Sequence, residues 1–405
     1  MPPSVDVSLI IPTRNRRAML ADTLRRLRGL TSRRHEIIVV DNGSTDDTAQ
    51  LQSVFTEVQW IFLNENHAAA ARNIAAAAAK APLLLMLDDD SWPEPGALDA
   101  AVELFRRRTD LGAAACRVRL ADSDRHDAGG VPGVFFNCGA FIRRDAFQAG
   151  GGYPADYEYY VEEYALACRM WQQGWTIEPR GDLRVRHART LANRDNSRML
   201  RLLVRNNLRL WNRFAPEHRR ADLCDSTRER YSRVAVKENA WIGYEQGIAE
   251  AESSGGLGRK RTPLTEDQFC GLYGLNQARR TLSEWIERCA VRNVAVWSRG
   301  KGCEQVLELL DDARVEVHAV LDEPAETGAW RGAPLRSYPH LNDLHVDGIV
   351  IGSLSPGVAE DLVADVSARC AGQPCISLAP WVGTSSRIVE PAYGRSKQAI
   401  GLFHK

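Results

Sequence analysis

Between residues 8 and 87 the chain alternates short apolar runs with stretches of helical period. The apolar runs cover 8–11, 37–40, 60–63 and 83–87, and the helical stretches cover 17–30, 45–55 and 68–81. Strand–helix alternation of this kind predicts an α/β fold with a largely parallel sheet and helices on both faces. Ligands of such sheets bind at the carboxyl ends of the strands. Here those ends read Pro12-Thr13-Arg14-Asn15, Asp41-Asn42-Gly43-Ser44, Asn64-Glu65-Asn66-His67 and Asp88-Asp89-Asp90, all polar.

After about residue 195 the pattern becomes arginine-rich and helical, and 250–265 has the composition of a linker. A second alternation starts near 291, with strands over 294–297, 315–321, 348–351 and 375–378 and helices over 304–310 and 358–369. The expected division is a catalytic-type α/β domain over 1–195, a helical extension over 196–285 and a smaller α/β domain over 286–405. From Arg180 to Arg233 there are fifteen arginines against six carboxylates. Within 198–214 the period puts Leu200, Leu203, Val204, Leu208, Trp211 and Phe214 on one face and Arg198, Arg201, Arg205 and Arg209 on another. Such a helix either packs its apolar face on the neighbouring domain, the favoured reading, or lies peripherally on an anionic membrane surface.

Composition narrows the function classes. In 405 residues, 52 Lys and Arg balance 52 Asp and Glu, which argues against nucleic acid as a partner held by bulk charge. Nine cysteines without a regular framework read as reduced thiols. The N-terminal residues lack a secretory leader pattern and no run approaches about 20 apolar residues, so the expectation is a cytoplasmic chain.

The candidate chemistry starts at Asp88, Asp89 and Asp90. Three carboxylates at a strand end repel one another unless a cation joins them, and a hard divalent ion that bridges carboxylates to substrate phosphates is the natural one. A second cluster, Glu162-Glu163, opens a helix, where the dipole favours anions and a carboxylate could be held as a general base.

Taken in order, Leu9-Ile10-Ile11-Pro12-Thr13-Arg14-Asn15, Val40-Asp41-Asn42-Gly43-Ser44-Thr45-Asp46, Asn64 through Ala71-Arg72-Asn73, Asp88-Asp89-Asp90, Asn137-Cys138-Gly139-Ala140-Phe141-Ile142-Arg143-Arg144, Glu162-Glu163 with Leu166 and Arg169, Gly174-Trp175 and His187 resemble a family 2 glycosyltransferase of the GT-A fold. The resemblance covers about residues 5 to 215. It implies a metal-dependent, inverting transfer of sugar from a nucleoside diphosphate sugar to an acceptor hydroxyl on a glycan, lipid-linked or natural-product partner. It further implies a donor held by Pro12, Thr13, Arg14, Asn15, Asp41, Asn42, Ser44, Arg72, Asp88, Asp89, Gly139, Ala140, Glu162 and His187, with Mg2+ or Mn2+ on Asp90 and Glu163 as base. Glu163 stands where the family usually has Asp, and Ala165 where it usually has a further acid.

The competing expectation is a non-catalytic scaffold or sensor that binds the sugar nucleotide. The C-terminal unit resembles the small Rossmann-like domains attached to sugar-modifying enzymes. Its turn Trp297-Ser298-Arg299-Gly300-Lys301-Gly302 has Ser298 where a dinucleotide fingerprint has its first glycine, so a structural role or a homo-oligomer surface is expected there instead.

Overall fold

A computed structural model describes residues 5–30, 34–127, 129–189, 195–253, 260–323, 328–369 and 374–381. Its contacts divide the chain into two units, one of residues 1–125 and 133–272, the other of 126–132 and 273–405.

In the first unit, β1 (Val7–Thr13), α1 (Arg17–Arg28), β2 (His35–Asn42), β3 (Gln59–Leu63), α2 (Ala71–Ala78) and β4 (Leu83–Met86) follow the predicted alternation. Then come β5 (Ser91–Pro93), α3 (Ala97–Arg107), β6 (Leu111–Leu120), β7 (Ala140–Arg143), α4 (Arg144–Ala149), α5 (Glu162–Gln172) and β8 (Thr176–His187). The eight strands form one sheet in the order β3-β2-β1-β4-β7-β6-β8-β5. Strands β1 to β4 are parallel, whereas β7 runs antiparallel to both β4 and β6. Leu9, Ile11, Val39, Leu85 and Phe141 are buried on one face of this sheet against Leu20, Leu24 and Leu98 of the covering helices. Each such side chain contributes about 1.5–3 kcal/mol when fully buried. Because helices also cover the other face, β1 and β4 read as unbroken apolar runs.

Two predicted helices are shorter than their periodicity suggests. Residues 45–55 fold as a 3-10 turn over Asp47–Ser53, with Asp46 accepting from the Thr48 amide at 3.0 Å. The 68–81 stretch becomes a 3-10 turn and then α2, which stops at Ala78 as the chain turns extended ahead of Pro82.

Three helices extend this unit: α6 (Asn196–Phe214), α7 (Arg220–Lys237) and α8 (Trp241–Ser253). The Asp195 carboxylate caps α6 by accepting from the Arg198 amide at 2.9 Å. Leu200, Val204, Leu208, Trp211 and Phe214 are buried and Leu203 is half-buried, in keeping with the packed reading of this helix. On the arginine face, α8 covers Arg201 and Arg205, while Arg198 stays exposed. A Cβ on Gly243 would stand 2.1 Å from the Ser197 carbonyl oxygen and one on Gly247 2.6 Å from that of Arg201, so only glycine permits the approach. One turn further on, Glu250 pairs with Arg201 at 2.6 Å and with buried Arg205 at 3.3 Å. Among the described residues no helix is long and apolar enough to cross a membrane. The described cysteines are all free, as expected, and Cys370 lies outside the described residues.

The chain continues through α9 (Glu266–Tyr273) into the second unit, which holds α10 (Leu275–Cys289), β9 (Asn293–Trp297), α11 (Cys303–Asp312), β10 (Glu316–Leu321), β11 (Gly328–Trp330), β12 (Ala333–Arg336), β13 (Gly348–Ile351), α12 (Pro356–Arg369) and β14 (Cys375–Ile376). Its smaller sheet runs β11-β12-β10-β9-β13-β14, parallel except for β11. Helix α10, which the sequence reading assigned to the extension, lays Trp285 against Gly348 of this sheet.

Candidate functional site

The carboxyl ends of β1, β2 and β4 bring the polar strand-end loops together. The Asn15 carboxamide accepts from the Thr45 amide at 2.7 Å, the Ser44 hydroxyl accepts from the Asn15 amide at 3.0 Å, and the Asp41 carboxylate accepts from the Ser44 amide at 2.8 Å. Arg14 reaches the Gly43 carbonyl at 3.3 Å. Asn42 donates to Asn66 at 2.9 Å and accepts from the His67 amide at 2.8 Å. Three loops far apart in sequence, after β1, β2 and β3, are therefore bound into one rim by side-chain hydrogen bonds.

The three aspartates separate into distinct environments. Asp88 is paired with Arg72, a fully buried side chain of α2. Asp89 accepts from Thr13 at 2.7 Å and meets the Arg16 guanidinium at 3.2 Å, while Thr23 donates to its backbone carbonyl at 2.7 Å. Burial outweighs these partners and pushes the Asp89 carboxyl up to about 7. Asp90 takes Arg16 at 2.6 Å on one oxygen and the His187 Nε2 at 3.0 Å on the other. Burial would raise Asp90, but the hydrogen bond and charge of His187, together with Arg16, hold it below the usual carboxylate range. Asp88, Asp90 and His187 each present a ligand atom, and these atoms lie within 4.8 Å of one another. Two carboxylates and an imidazole at that spacing fit a divalent cation with room left for other ligands.

A carboxyl that is raised in the folded state favours folding when protonated. The contribution of Asp89 is therefore complete below about pH 4 and is lost as pH rises through about 7. We expect unfolding free energy to fall across that window by at most about 1.4 kcal/mol per pH unit from this one group. Asp89→Asn should flatten the slope in denaturant titrations at pH 5 and pH 8; an unchanged slope would show that Asp89 is ionised throughout.

Glu162 and Glu163 are both buried in the first turn of α5. Asn137 donates to Glu162 Oε1 at 2.8 Å. Burial, reinforced by the adjacent Glu163 charge, pushes the Glu162 carboxyl far above its ordinary range in spite of Arg72 nearby. Arg72 thus links the two clusters, with Asp88, Tyr153 and Glu162 all within its electrostatic reach. The atoms Arg72 Nε, Asn137 Oδ1, Tyr153 Oη and Glu162 Oε2 are buried without hydrogen-bond partners. Native interiors rarely leave such groups unpaired, and a concentration of them marks ground where a polar ligand is accommodated.

The other sequence candidates have plainer surroundings. Gly139 packs against Val118 and Val185, and Ala140 pairs with Met86 in the sheet just ahead of Asp88. Pro12 lies in β1 opposite Val40. Arg143 donates to the carbonyls of Leu111, Phe105 and Arg108, and Arg144 to that of Ala79, so both tie element ends together. Three site residues were not assigned from sequence: Arg16, which bridges Asp89 and Asp90; Thr23; and Asn137, which the resemblance quoted without a role. Arg16 left a faint signal, a second arginine two places after Arg14 beyond the end of β1.

The turn after β9 is already filled from within its own unit. Ser298 adopts φ 75°, the left-handed conformation that favours glycine. Arg299 is buried on Asp322 at 2.6 Å, and Lys301 donates to the Gly129 carbonyl at 3.3 Å. Asp322 ends the second parallel strand, the position from which an acidic residue would hold a ribose, and Arg299 occupies it. We expect calorimetry on the whole chain to find neither NAD nor NADP bound tighter than about 10 µM, roughly 7 kcal/mol; tighter binding would mean that the Arg299–Asp322 pair opens.

An eight-stranded α/β sheet with β7 reversed and an acidic cluster after β4 defines a GT-A fold. Residues 8–148 match the family model described as glycosyl transferase family 2. Solved structures similar to the chain include S. aureus TarS, at 16% identity and TM-score 0.40 over 49% of this chain and 39% of that one. GalNAc-T7 with UDP, GalNAc and Mn2+ matches at 15% identity and TM-score 0.46, over 54% of this chain and 50% of that one. The mannosyltransferase PcManGT from Pyrobaculum calidifontis, in complex with GDP-Man and Mn2+, matches at 16% identity and TM-score 0.43, over 63% and 86%. The chain thus spans half or less of the length of the first two. No protein of curated function matches it.

Proposed function

We propose that the first unit transfers a sugar from a nucleoside diphosphate sugar to an acceptor hydroxyl, with a divalent metal and with inversion at the anomeric carbon. The observation that carries this reading is the convergence of Asp88, Asp90 and His187 at the end of β4. Mg2+ or Mn2+ held by Asp90, with His187 beside it, would neutralise charge on the departing diphosphate, chemistry that stands in for a general acid.

The chain's own residues account for the remaining steps. The rim built by Pro12, Thr13, Arg14, Asn15, Asp41, Asn42 and Ser44 receives the nucleoside, with Asp88 and Asp89 at the ribose side. Arg72, Glu162, Asn137 and Tyr153 offer the buried unpaired donors and acceptors that sugar hydroxyls would satisfy. Gly139 and Ala140 present backbone without bulk beside them. Glu163 accepts the proton of the acceptor hydroxyl while the acceptor oxygen bonds to the anomeric carbon and the bonding pair to the diphosphate departs with it. A neutral Glu162 next to Glu163 removes one of two like charges from this pocket.

The reading is tested by thermal unfolding against a panel of nucleotide sugars with and without Mn2+. A donor at a hundred times its dissociation constant adds about 2.7 kcal/mol. We expect at least one donor to stabilise the chain only with metal and to be slowly hydrolysed. Binding with neither hydrolysis nor transfer would favour the sugar-nucleotide scaffold, and no stabilisation by any donor would overturn both readings.

A further inference from the structure

Three of the four residues ahead of the carboxylate pair are held in a conformation that L-amino acids avoid. Glu158, Tyr160 and Val161 have φ of 60°, 69° and 71°. A positive φ is uncommon for any residue with a Cβ and is an outlier for a β-branched one such as Val161. Such dihedrals persist only where the surroundings impose them. Val161 immediately precedes α5, so these dihedrals set the direction in which Glu162 and Glu163 leave the loop.

What imposes them is a pair of adjacent side chains in the middle of α6. Asn206 is fully buried, and its Nδ2 lies 2.8 Å from the Tyr157 carbonyl oxygen, 3.0 Å from that of Tyr159 and 2.8 Å from that of Tyr160. Arg205, itself buried, donates to the Tyr157 carbonyl at 3.1 Å and to Glu158 Oε1 at 2.9 Å, and also holds the Asn206 carboxamide oxygen at 2.9 Å. Arg205 is in turn fixed by Glu250 of α8 at 3.3 Å. On its other side the loop accepts from the Ala69 amide at 3.1 Å, just before the helix that carries Arg72. An amide aimed at the carbonyls of Tyr157, Tyr159 and Tyr160 has no packing purpose that an apolar residue would not serve better in a buried helix face.

We propose that Asn206, locked by Arg205, is a positioning residue for the transfer reaction: it clamps the strained 157–161 loop so that the Glu162–Glu163 pair faces the donor site. This rests on the proposed function for its consequence, though not for the clamp itself. The helical extension is thereby part of the catalytic apparatus, since α8 acts on the carboxylates through Glu250, Arg205, Asn206 and the loop.

The test uses the full-length chain carrying Asn206→Ala, with circular dichroism and thermal unfolding to establish that it is folded; Asn206→Ser, which keeps one donor hydrogen, takes its place where the alanine variant does not fold. Without any ligand, amide exchange across 158–163 should rise at least about tenfold while exchange in β1 and β4 stays unchanged. In turnover, kcat should fall by about 10- to 100-fold, the effect of roughly 1 Å of misplacement, with donor KM within about twofold. Adding Tyr160→Gly, which adopts φ 69° without strain, should recover part of the lost kcat. Unchanged exchange in a folded variant overturns the clamp. Raised exchange with unchanged kcat, or a loss in KM alone, overturns the positioning role while leaving the glycosyl transfer intact. If the unaltered chain neither binds nor hydrolyses any nucleotide sugar, the reaction fails and the positioning role with it, whatever the exchange data show of the clamp.

Discussion

Asp90→Ala is expected to abolish sugar transfer and metal-dependent donor binding while the chain remains folded. The carboxylate it removes is buried and is shared between Arg16 at 2.6 Å and His187 at 3.0 Å. Arg16 is not stranded by the change, because its side chain is 38% exposed and can turn to water. A catalytic ion contributes several kcal/mol of charge stabilisation, and at about 4 kcal/mol the turnover should drop by roughly three orders of magnitude. Titration with Mn2+, followed by donor hydrolysis, measures both losses. Full activity of the variant in the presence of a chelator would remove the metal from the mechanism.

The neighbouring substitution should behave differently, and for a reason the sequence did not reveal. The resemblance makes Asp88 a donor contact whose loss should mainly weaken donor affinity. In the fold it is the paired partner of fully buried Arg72. Asp88→Ala leaves that guanidinium buried and uncompensated, which typically costs about 3–5 kcal/mol. A fall in stability should therefore accompany the fall in donor affinity, separating it from Asp90→Ala in a simple unfolding curve.

Strands β1 to β4 and their polar ends were legible because buried parallel strands read as unbroken apolar runs. The rest of the first sheet was not, although a signal was present. In β8 the residues alternate between buried and more exposed from Ile177 through Leu183 to His187, the period of a half-buried strand. Its outer positions are Arg180, Arg184 and Arg186, which made it read as the start of a basic run. Likewise β6, Leu-Gly-Ala-Ala-Ala-Cys, has too little bulk to announce a core strand, and it packs because small side chains suit its crowded place between β7 and β8. The candidate site residues stand out by motif where they sit at strand ends. Arg16, Thr23 and Asn206 escaped because their roles depend on contacts 74, 66 and 47 positions away in the chain.

Glu163→Gln is expected to preserve donor binding and lose about two to four orders of magnitude in turnover, the usual contribution of a positioned general base. The amide is nearly isosteric with the carboxyl, so the first turn of α5, where both glutamates are buried, should keep its packing. Glu162 provides the internal control. Burial and the charge of Glu163 push its carboxyl well above the ordinary range, toward the neutral form, and its Oε1 accepts from Asn137 at 2.8 Å. A glutamine at 162 reproduces a neutral group with an acceptor oxygen for Asn137, so Glu162→Gln should cost far less than Glu163→Gln. The two variants are to be compared at saturating donor, with kcat followed over pH and donor affinity measured separately. A larger loss at 162 than at 163 would transfer the base to Glu162, and would require that donor binding itself displace the proton which burial keeps on that carboxyl.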